Sequence, residues 1–428
     1  MPVIALIGAQ WGDEGKGKVV DVLSERVKAV VRFSGGDNAG HTVVNSYGEF
    51  PLHLVPSGIF WPHTICIVGN GMAVNPGVLL EEIVGLNRAG VDTSRLYISD
   101  RASVIMPYHV LLDGLEEKAK GGRAVGTTGK GIGPVFSDKY ARIGIRMGEL
   151  LHKDAFGERL RSILDYKNNI LTKIYGVKPL SFDEIYDKYC EYGEKLSPRI
   201  RETTLMLDEL LAKGEIVLLE GAQGTLLDPD FGTYPYTTSS SPIVAGACLG
   251  SGIAPGKLTM SLGVFKAYCS RVGAGPFPTE LKDEVGIFIR ERAHEYGATT
   301  HRPRRCGWFD AVASRFSTRI NGFNQAVITR LDILDVFEKI KVCTGYKIDG
   351  KVTTNFPANV SDLERCEPVY EEISGWLTPI NDLRKYEELP QKAKDYVVHL
   401  EELIGCPVSL ISVGAAREQS IFKIPMLE

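Results

Sequence analysis

The sequence holds 428 residues, enough for a sizeable buried core, with 44% hydrophobic and 24% charged side chains as in an ordinary globular protein. A net charge of -4 and a pI of about 6.1 exclude a general attraction to nucleic acid or to an anionic membrane, so any basic site must be local. The eight cysteines never form a C-x-x-C pair and no apolar run reaches membrane-spanning length, which argues against a zinc ribbon, a disulfide framework and a membrane protein.

Met1 to Ala9 is apolar without a basic flank, so it reads as a first strand and not as a signal peptide, and the expected location is cytoplasmic. Val3 to Ile7 is the short continuous apolar run of a buried parallel strand. A glycine-rich turn follows, then a helix through Val19 to Leu23. Ala29 to Phe33 is a second strand and runs into another glycine-rich turn, Gly35 to His41. Ile65 to Val68, Ile216 to Leu219, Leu258 to Phe265, Ala326 to Ile328 and Val408 to Ile411 are further candidate core strands. Phe156, Leu160, Ile163 and Leu164 fall at helical offsets, and Leu205 to Leu211 is a helix leading into the strand at Ile216. Strands alternating with helices predict an α/β fold: a large, mostly parallel central sheet with helices on both faces. With no repeat and no Pro/Ser-rich linker, the expectation is a single domain over 1–428 with a helical insertion at about 148–214. The long glycine-rich loops Gly121 to Ser137 and Gly221 to Ser241 are candidates for function.

Gly8 to Lys18 reads G-A-Q-W-G-D-E-G-K-G-K between a strand and a helix, the setting in which backbone N–H groups and a lysine, here Lys16, cradle phosphate oxygens. It departs from G-x-x-x-x-G-K-[ST]: position 10 is Gln, and Gly17 follows Lys16, so no hydroxyl is offered to magnesium there. Asp13 is the unusual element, since a carboxylate repels phosphate unless a metal or a substrate proton offsets it. It is a candidate magnesium ligand, a candidate base, or both; a helix N-cap is the plain structural alternative. The second turn, S-G-G-D-N-A-G-H-T from Ser34 to Thr42, follows the next strand, and parallel topology carries His41 towards Asp13.

Gln10 to Lys18 together with G-x-N-A-G-H-T (Gly36 to Thr42) resembles adenylosuccinate synthetase. The resemblance continues through G-T-T-G-K-G-I-G-P (Gly126 to Pro134), E-G-A-Q-G (Glu220 to Gly224), Y-T-T-S-S (Tyr236 to Ser240), T-T-H-R-P-R-R (Thr299 to Arg305), R-L-D (Arg330 to Asp332) and S-V-G (Ser412 to Gly414). It implies a GTP-dependent carbon–nitrogen ligase that joins IMP and L-aspartate through a 6-phosphoryl-IMP intermediate, releases GDP and phosphate, uses Mg2+, and works as a homodimer. In that family Asp13, His41, Lys16 and Gln223 would be catalytic. GTP would meet Gly12, Asp13, Glu14, Gly15, Lys16, Gly17, Lys18, Gly40, His41, Thr42, Arg304, Arg330, Leu331, Asp332, Ser412, Val413 and Gly414. IMP would meet Asp13 to Lys16, Asn38, Ala39, Gly40, His41, Thr128, Gln223, Thr238 and Arg302, with Arg142 reaching its phosphate from the partner subunit. L-aspartate would lie against Ala298, Thr299, Thr300, His301, Arg302, Pro303 and Arg304, and Asp13 with the Gly40 carbonyl would hold the metal.

The sequence departs from the family at His301 in place of Gly, Lys130 in place of Arg, Arg330 in place of Lys, and Ser34 and Asp37 in place of amides. Lys130 and Arg330 keep the charge but change the geometry of the donors. Two other classes compete with the ligase: a kinase that releases its phosphorylated product, and a GTP-binding switch. The switch would need the Ser/Thr that Gly17 replaces.

Overall fold

The structure, a computed structural model, describes residues 3–297 and 302–427. Its centre is a ten-stranded sheet in the order Ser420–Phe422, Val408–Ser412, Gln325–Thr329, Leu258–Lys266, Val3–Gly8, Val217–Glu220, Ala29–Arg32, Ile65–Val68, Leu96–Ser99, Ile200–Arg201. Every neighbouring pair is parallel except the edge pair Val408–Ser412 and Ser420–Phe422. All seven strands expected from apolar runs lie in it, with ends shifted by at most a residue or two.

Both faces of the first strand are buried, which is why its sequence does not alternate. Ile4 and Leu6 pack with Val19, Val20 and Leu23 of the first helix, Lys16–Leu23. Val3, Ala5 and Ile7 share the opposite core with Leu207 and Leu210 of Thr203–Ala212 and with Ala393, Tyr396 and Val397 of Gln391–Ile404. Each aliphatic side chain so buried stabilises the fold by roughly 1.5–3 kcal/mol relative to exposure.

The stretch at 148–214 contains the long helices Lys153–Lys173 and Phe182–Leu196, and also the short strand Ile200–Arg201 that closes one edge of the sheet. A smaller sheet joins Phe309–Asp310, Lys339–Ile348, Lys351–Thr353 and Glu367–Ser374. The sequence reading did not contain it. Glu367–Ser374 alternates between exposed and half-buried residues and has no continuous apolar run to signal a strand.

Because the first strand and its neighbours are parallel, the turns after residues 8, 32, 220, 266, 329 and 412 all open on one edge of the sheet. The motifs of the sequence analysis occupy those turns, and that edge is where open α/β sheets bind ligands.

Candidate active site

The turn after the first strand is built around Glu14. Its fully buried carboxylate accepts from the Gln10 N–H (3.0 Å), the Gly12 N–H (2.8 Å) and the Lys16 ammonium (2.6 Å). Two of the turn's donors and its lysine are thus held by an internal carboxylate, and any role of Glu14 toward a ligand falls to its main chain. Gln10, where a P-loop would have glycine, bonds across to the neighbouring strand: its Oε1 accepts from the Lys266 N–H at 3.1 Å and its Nε2 donates to the Lys266 carbonyl at 3.3 Å. Asp13 takes a left-handed conformation, φ 59°, and does not cap the helix, which starts from Gly15 with no side-chain cap. Its carboxylate is left 33% exposed at the mouth of the turn.

His41 begins the hairpin strand His41–Asn45 and approaches the first helix so closely that a Cβ on Gly17 would lie 2.6 Å from its ring. Its Nδ1 accepts from the Arg32 guanidinium at 3.0 Å, so the proton belongs on Nε2, which lies 2.8 Å from the Ser57 hydroxyl. Ser57 donates in turn to Glu220 at 3.0 Å, and Arg32 donates to Glu220 at 2.9 Å. Burial, then the charges of Arg32, His53 and Lys16, hold the His41 imidazole well below its usual pKa and therefore neutral. Arg32, Ser57 and Glu220 orient this ring, and the sequence reading gave none of them a role. They lie far apart in the chain, 188 residues in the case of Arg32 and Glu220.

Gln223, also left-handed at φ 54°, packs its main chain against Gly12. Its Nε2 donates to Asn38 Oδ1 at 3.5 Å, and its Oε1 is buried without a partner among the described residues. From the opposite side comes Arg304, whose Nε lies 2.9 Å from Asp13 Oδ2. Arg302 donates to the Gly126 carbonyl at 3.3 Å, so it touches the loop that carries Thr128. Thr238 donates its N–H to the Leu227 carbonyl at 2.8 Å and lies 3.4 Å from Ser240 by its hydroxyl. Ala298 to His301 lie outside the described residues. Arg142 stands apart, exposed at the end of the helix Ile132–Ala141.

At the strand ends on the other side, Arg330 is left-handed at φ 61° and starts the turn Leu331–Leu334. Asp332 keeps one buried carboxylate oxygen without a partner, and burial raises its pKa. It borders a cleft of about 630 Å³ with Arg292, Ile333, Leu377, Pro379 and Asn381. Lys18 donates to the Ser412 hydroxyl (2.7 Å) and to the carbonyls of Gly414 (2.9 Å) and Gln419 (2.8 Å). Burial lowers its pKa to about 7. Its ammonium holds the loop after the Val408–Ser412 strand, where Ser412 and Gly414, also assigned to GTP by the resemblance, accept from it.

Among the described residues no group of three or more His, Cys, Asp or Glu is placed to cage a metal. The half-buried Asp13 carboxylate and Gly40 carbonyl suit magnesium, which takes one or two protein oxygens and fills its shell with phosphate and water.

A mostly parallel sheet with a glycine-rich anion turn, a half-buried carboxylate within it and Arg304 against that carboxylate defines the class: an α/β enzyme acting on phosphorylated substrates. A family model described as adenylosuccinate synthetase matches residues 5–421. The adenylosuccinate synthetase of Dehalococcoides mccartyi is 56% identical over 423 residues, covering 99% of this chain and all of that protein. That of Caldanaerobacter subterraneus is 52% identical over 423 residues, covering 98% and 99%. The structure of fully ligated adenylosuccinate synthetase from Plasmodium falciparum superposes with a TM-score of 0.93 at 39% identity, covering 99% of this chain and all of that one. The chain belongs to the adenylosuccinate synthetase family, and its activity is the family's, that of a GTP-dependent ligase of AMP biosynthesis.

Proposed function

We propose that this edge of the sheet joins IMP to L-aspartate in two steps, with Asp13 as the base of the first. Asp13 takes the ring N–H proton of hypoxanthine, the carbonyl oxygen attacks the γ-phosphorus of GTP, and the bond to the bridging oxygen breaks to leave GDP. The amine of aspartate then attacks the ring carbon and phosphate leaves. The observation that carries this reading is a half-buried carboxylate inside an anion turn, faced by Arg304 and bordered by Gln223. Phosphate oxygens compete with Glu14 for the Lys16 ammonium. The one N–H of the neutral His41 ring, on Nε2, leaves the Ser57 hydroxyl to donate to the phosphoryl group as charge moves towards GDP, while Asn38, Gln223, Thr128, Thr238 and Arg302 hold IMP. Arg302 and Arg304 suit the two carboxylates of aspartate because guanidinium pairs with carboxylate through two parallel bonds. Asp13 and the Gly40 carbonyl would hold magnesium, which would supply charge neutralisation to the phosphates of GTP. No helix among the described residues is long and apolar enough to cross a membrane, and we place the reaction in the cytoplasm.

The test is GDP and phosphate release with GTP, IMP and L-aspartate, omitting each in turn. Release is expected to need all three. Steady release of GDP without aspartate and without free phosphate would make the protein a kinase, and slow release of GDP and phosphate without IMP and aspartate would make it a switch.

We also propose a homodimer in which Arg142 reaches the IMP phosphate of the partner's site. Its exposure at the end of the helix Ile132–Ala141 supports this. Arg142→Leu and Lys16→Gln proteins should each be nearly inactive, and mixing them one to one should restore up to about a quarter of the activity, because about half of the dimers are heterodimers and each of those has one intact site of two. No recovery after verified subunit exchange would count against a shared site.

A further inference from the structure

A second buried polar network at this edge is centred on Glu295, a residue outside every motif that carried the resemblance. Its side chain is fully buried. Oε1 accepts from the Lys266 ammonium at 2.5 Å and from the Tyr268 hydroxyl at 2.6 Å, and Oε2 accepts from Arg304 Nη1 at 2.6 Å. Lys266 is itself buried at the end of a central strand, next to the first, where its backbone is tied to Gln10. Glu295 also grips Arg304 through the main chain, accepting its N–H at 2.8 Å. One residue on, Tyr296 pairs antiparallel with Pro303, and the Gly297 N–H donates to the Arg302 carbonyl at 2.9 Å. Residues 295–297 and 302–304 are therefore the two stems of a hairpin, and Glu295 fastens its base to the sheet.

The consequence lies at the other end of the guanidinium. Arg304 Nη1 is on Glu295 while its Nε is 2.9 Å from Asp13. A planar group held at one edge has little freedom to reorient at the other. The path from central strand to Lys266, Glu295, Arg304 and Asp13 is continuous, and each link is a charged contact.

We propose that Glu295 is a positioning residue for the ligase reaction: from beneath the hairpin it fixes the plane of Arg304, and so where that guanidinium stands against Asp13 and against the aspartate substrate. This rests on the reading of Asp13 and Arg304 as substrate-facing groups. Glu295 itself touches no substrate and acts through Arg304.

Two variants separate positioning from folding. Glu295→Gln keeps the shape and removes the charge; Glu295→Asp keeps the charge and draws the carboxylate back by one methylene from Lys266 and Arg304 alike. Both should lower kcat/KM for L-aspartate by about 10- to 100-fold, the effect of a misplaced group, with KM for IMP nearly unchanged. The decisive readout is a double-mutant cycle with Arg304→Lys, because a residue acting only through Arg304 adds nothing once the fork is gone. Glu295→Asp combined with Arg304→Lys should be no worse in kcat/KM than Arg304→Lys alone. Wild-type kcat/KM for aspartate in a folded Glu295 variant, or full additivity in the cycle, would overturn the proposal. So would failure of both Glu295 variants to fold, which would make Glu295 a folding residue. The two readings fail separately: a fully active Asp13→Asn protein sinks the base assignment, whereas an inactive one beside a normal Glu295→Asp sinks only the positioning role.

Discussion

Asp13→Asn is expected to lower kcat with IMP, GTP and L-aspartate by about 10³-fold or more, within or above the 10²–10⁴-fold range of a single positioned base. Asparagine is the appropriate replacement because Asp13 sits at φ 59°, in the left-handed region that Asn tolerates well. Alanine there would add about 1–2 kcal/mol of backbone strain and confuse a chemical effect with a structural one. The amide cannot accept the ring proton and is a weaker ligand for a divalent cation, so both proposed roles are lost together. The turn should survive, since Glu14 holds it from within and Arg304 keeps its bond to Glu295. The melting temperature should therefore change little, in line with the small worth of a partly exposed ion pair. The check is GDP release beside a thermal melt. A folded Asp13→Asn protein with near-normal turnover would remove Asp13 from the chemistry.

What was legible in the sequence follows from how each feature is encoded. Strands buried on both faces write themselves as apolar runs, and Val3 to Ile7 or Ile65 to Val68 needed no partner to be recognised. Leu96–Ser99 carries the polar groups of Tyr97 and Ser99 in place of a continuous apolar run, Ile200–Arg201 has only two residues, and the sheet gives both their conformation. The ligand-facing turns were legible because glycine, aspartate and histidine cluster within a few residues of a strand end. Their supports were not. Glu220 orients His41 through Ser57 and Arg32, and Glu295 holds Arg304 from Lys266, across separations that no local pattern records. Nor does the Gln10 to Lys18 motif record that Lys18 binds Ser412, 394 residues along the chain, and the loop after it, a reach that only the fold supplies.

Asp332→Asn is expected to reorder the nucleotides the protein accepts. Guanine offers two adjacent donors, the ring N–H and the exocyclic amino group, and one carboxylate can accept both. Adenine has a lone pair at the ring position and lacks the second donor. The Asp332 side chain suits the first pattern: one oxygen is buried with no donor supplied by the protein, at the border of a cleft of about 630 Å³, within the range of a small-ligand pocket. Its raised pKa reflects the same burial, since a carboxylate taken from water gains by meeting two N–H groups. Hydrogen bonds to charged groups contribute roughly 1.5–3 kcal/mol each, so two of them favour GTP over ATP by at least about 10²-fold. Asparagine replaces one acceptor by an amino group that faces the guanine amino group, donor against donor. Xanthine has a carbonyl oxygen at that position and accepts from the new amide. The variant should lose about 10²-fold or more in kcat/KM for GTP and gain with XTP. KM for IMP and L-aspartate should stay nearly constant, because Asp332 lies at the end of Gln325–Thr329, two strands from the Asp13 turn. The measurement is kcat/KM for GTP, ATP and XTP in both proteins, and an unchanged ranking of the three would show that Asp332 does not read the base.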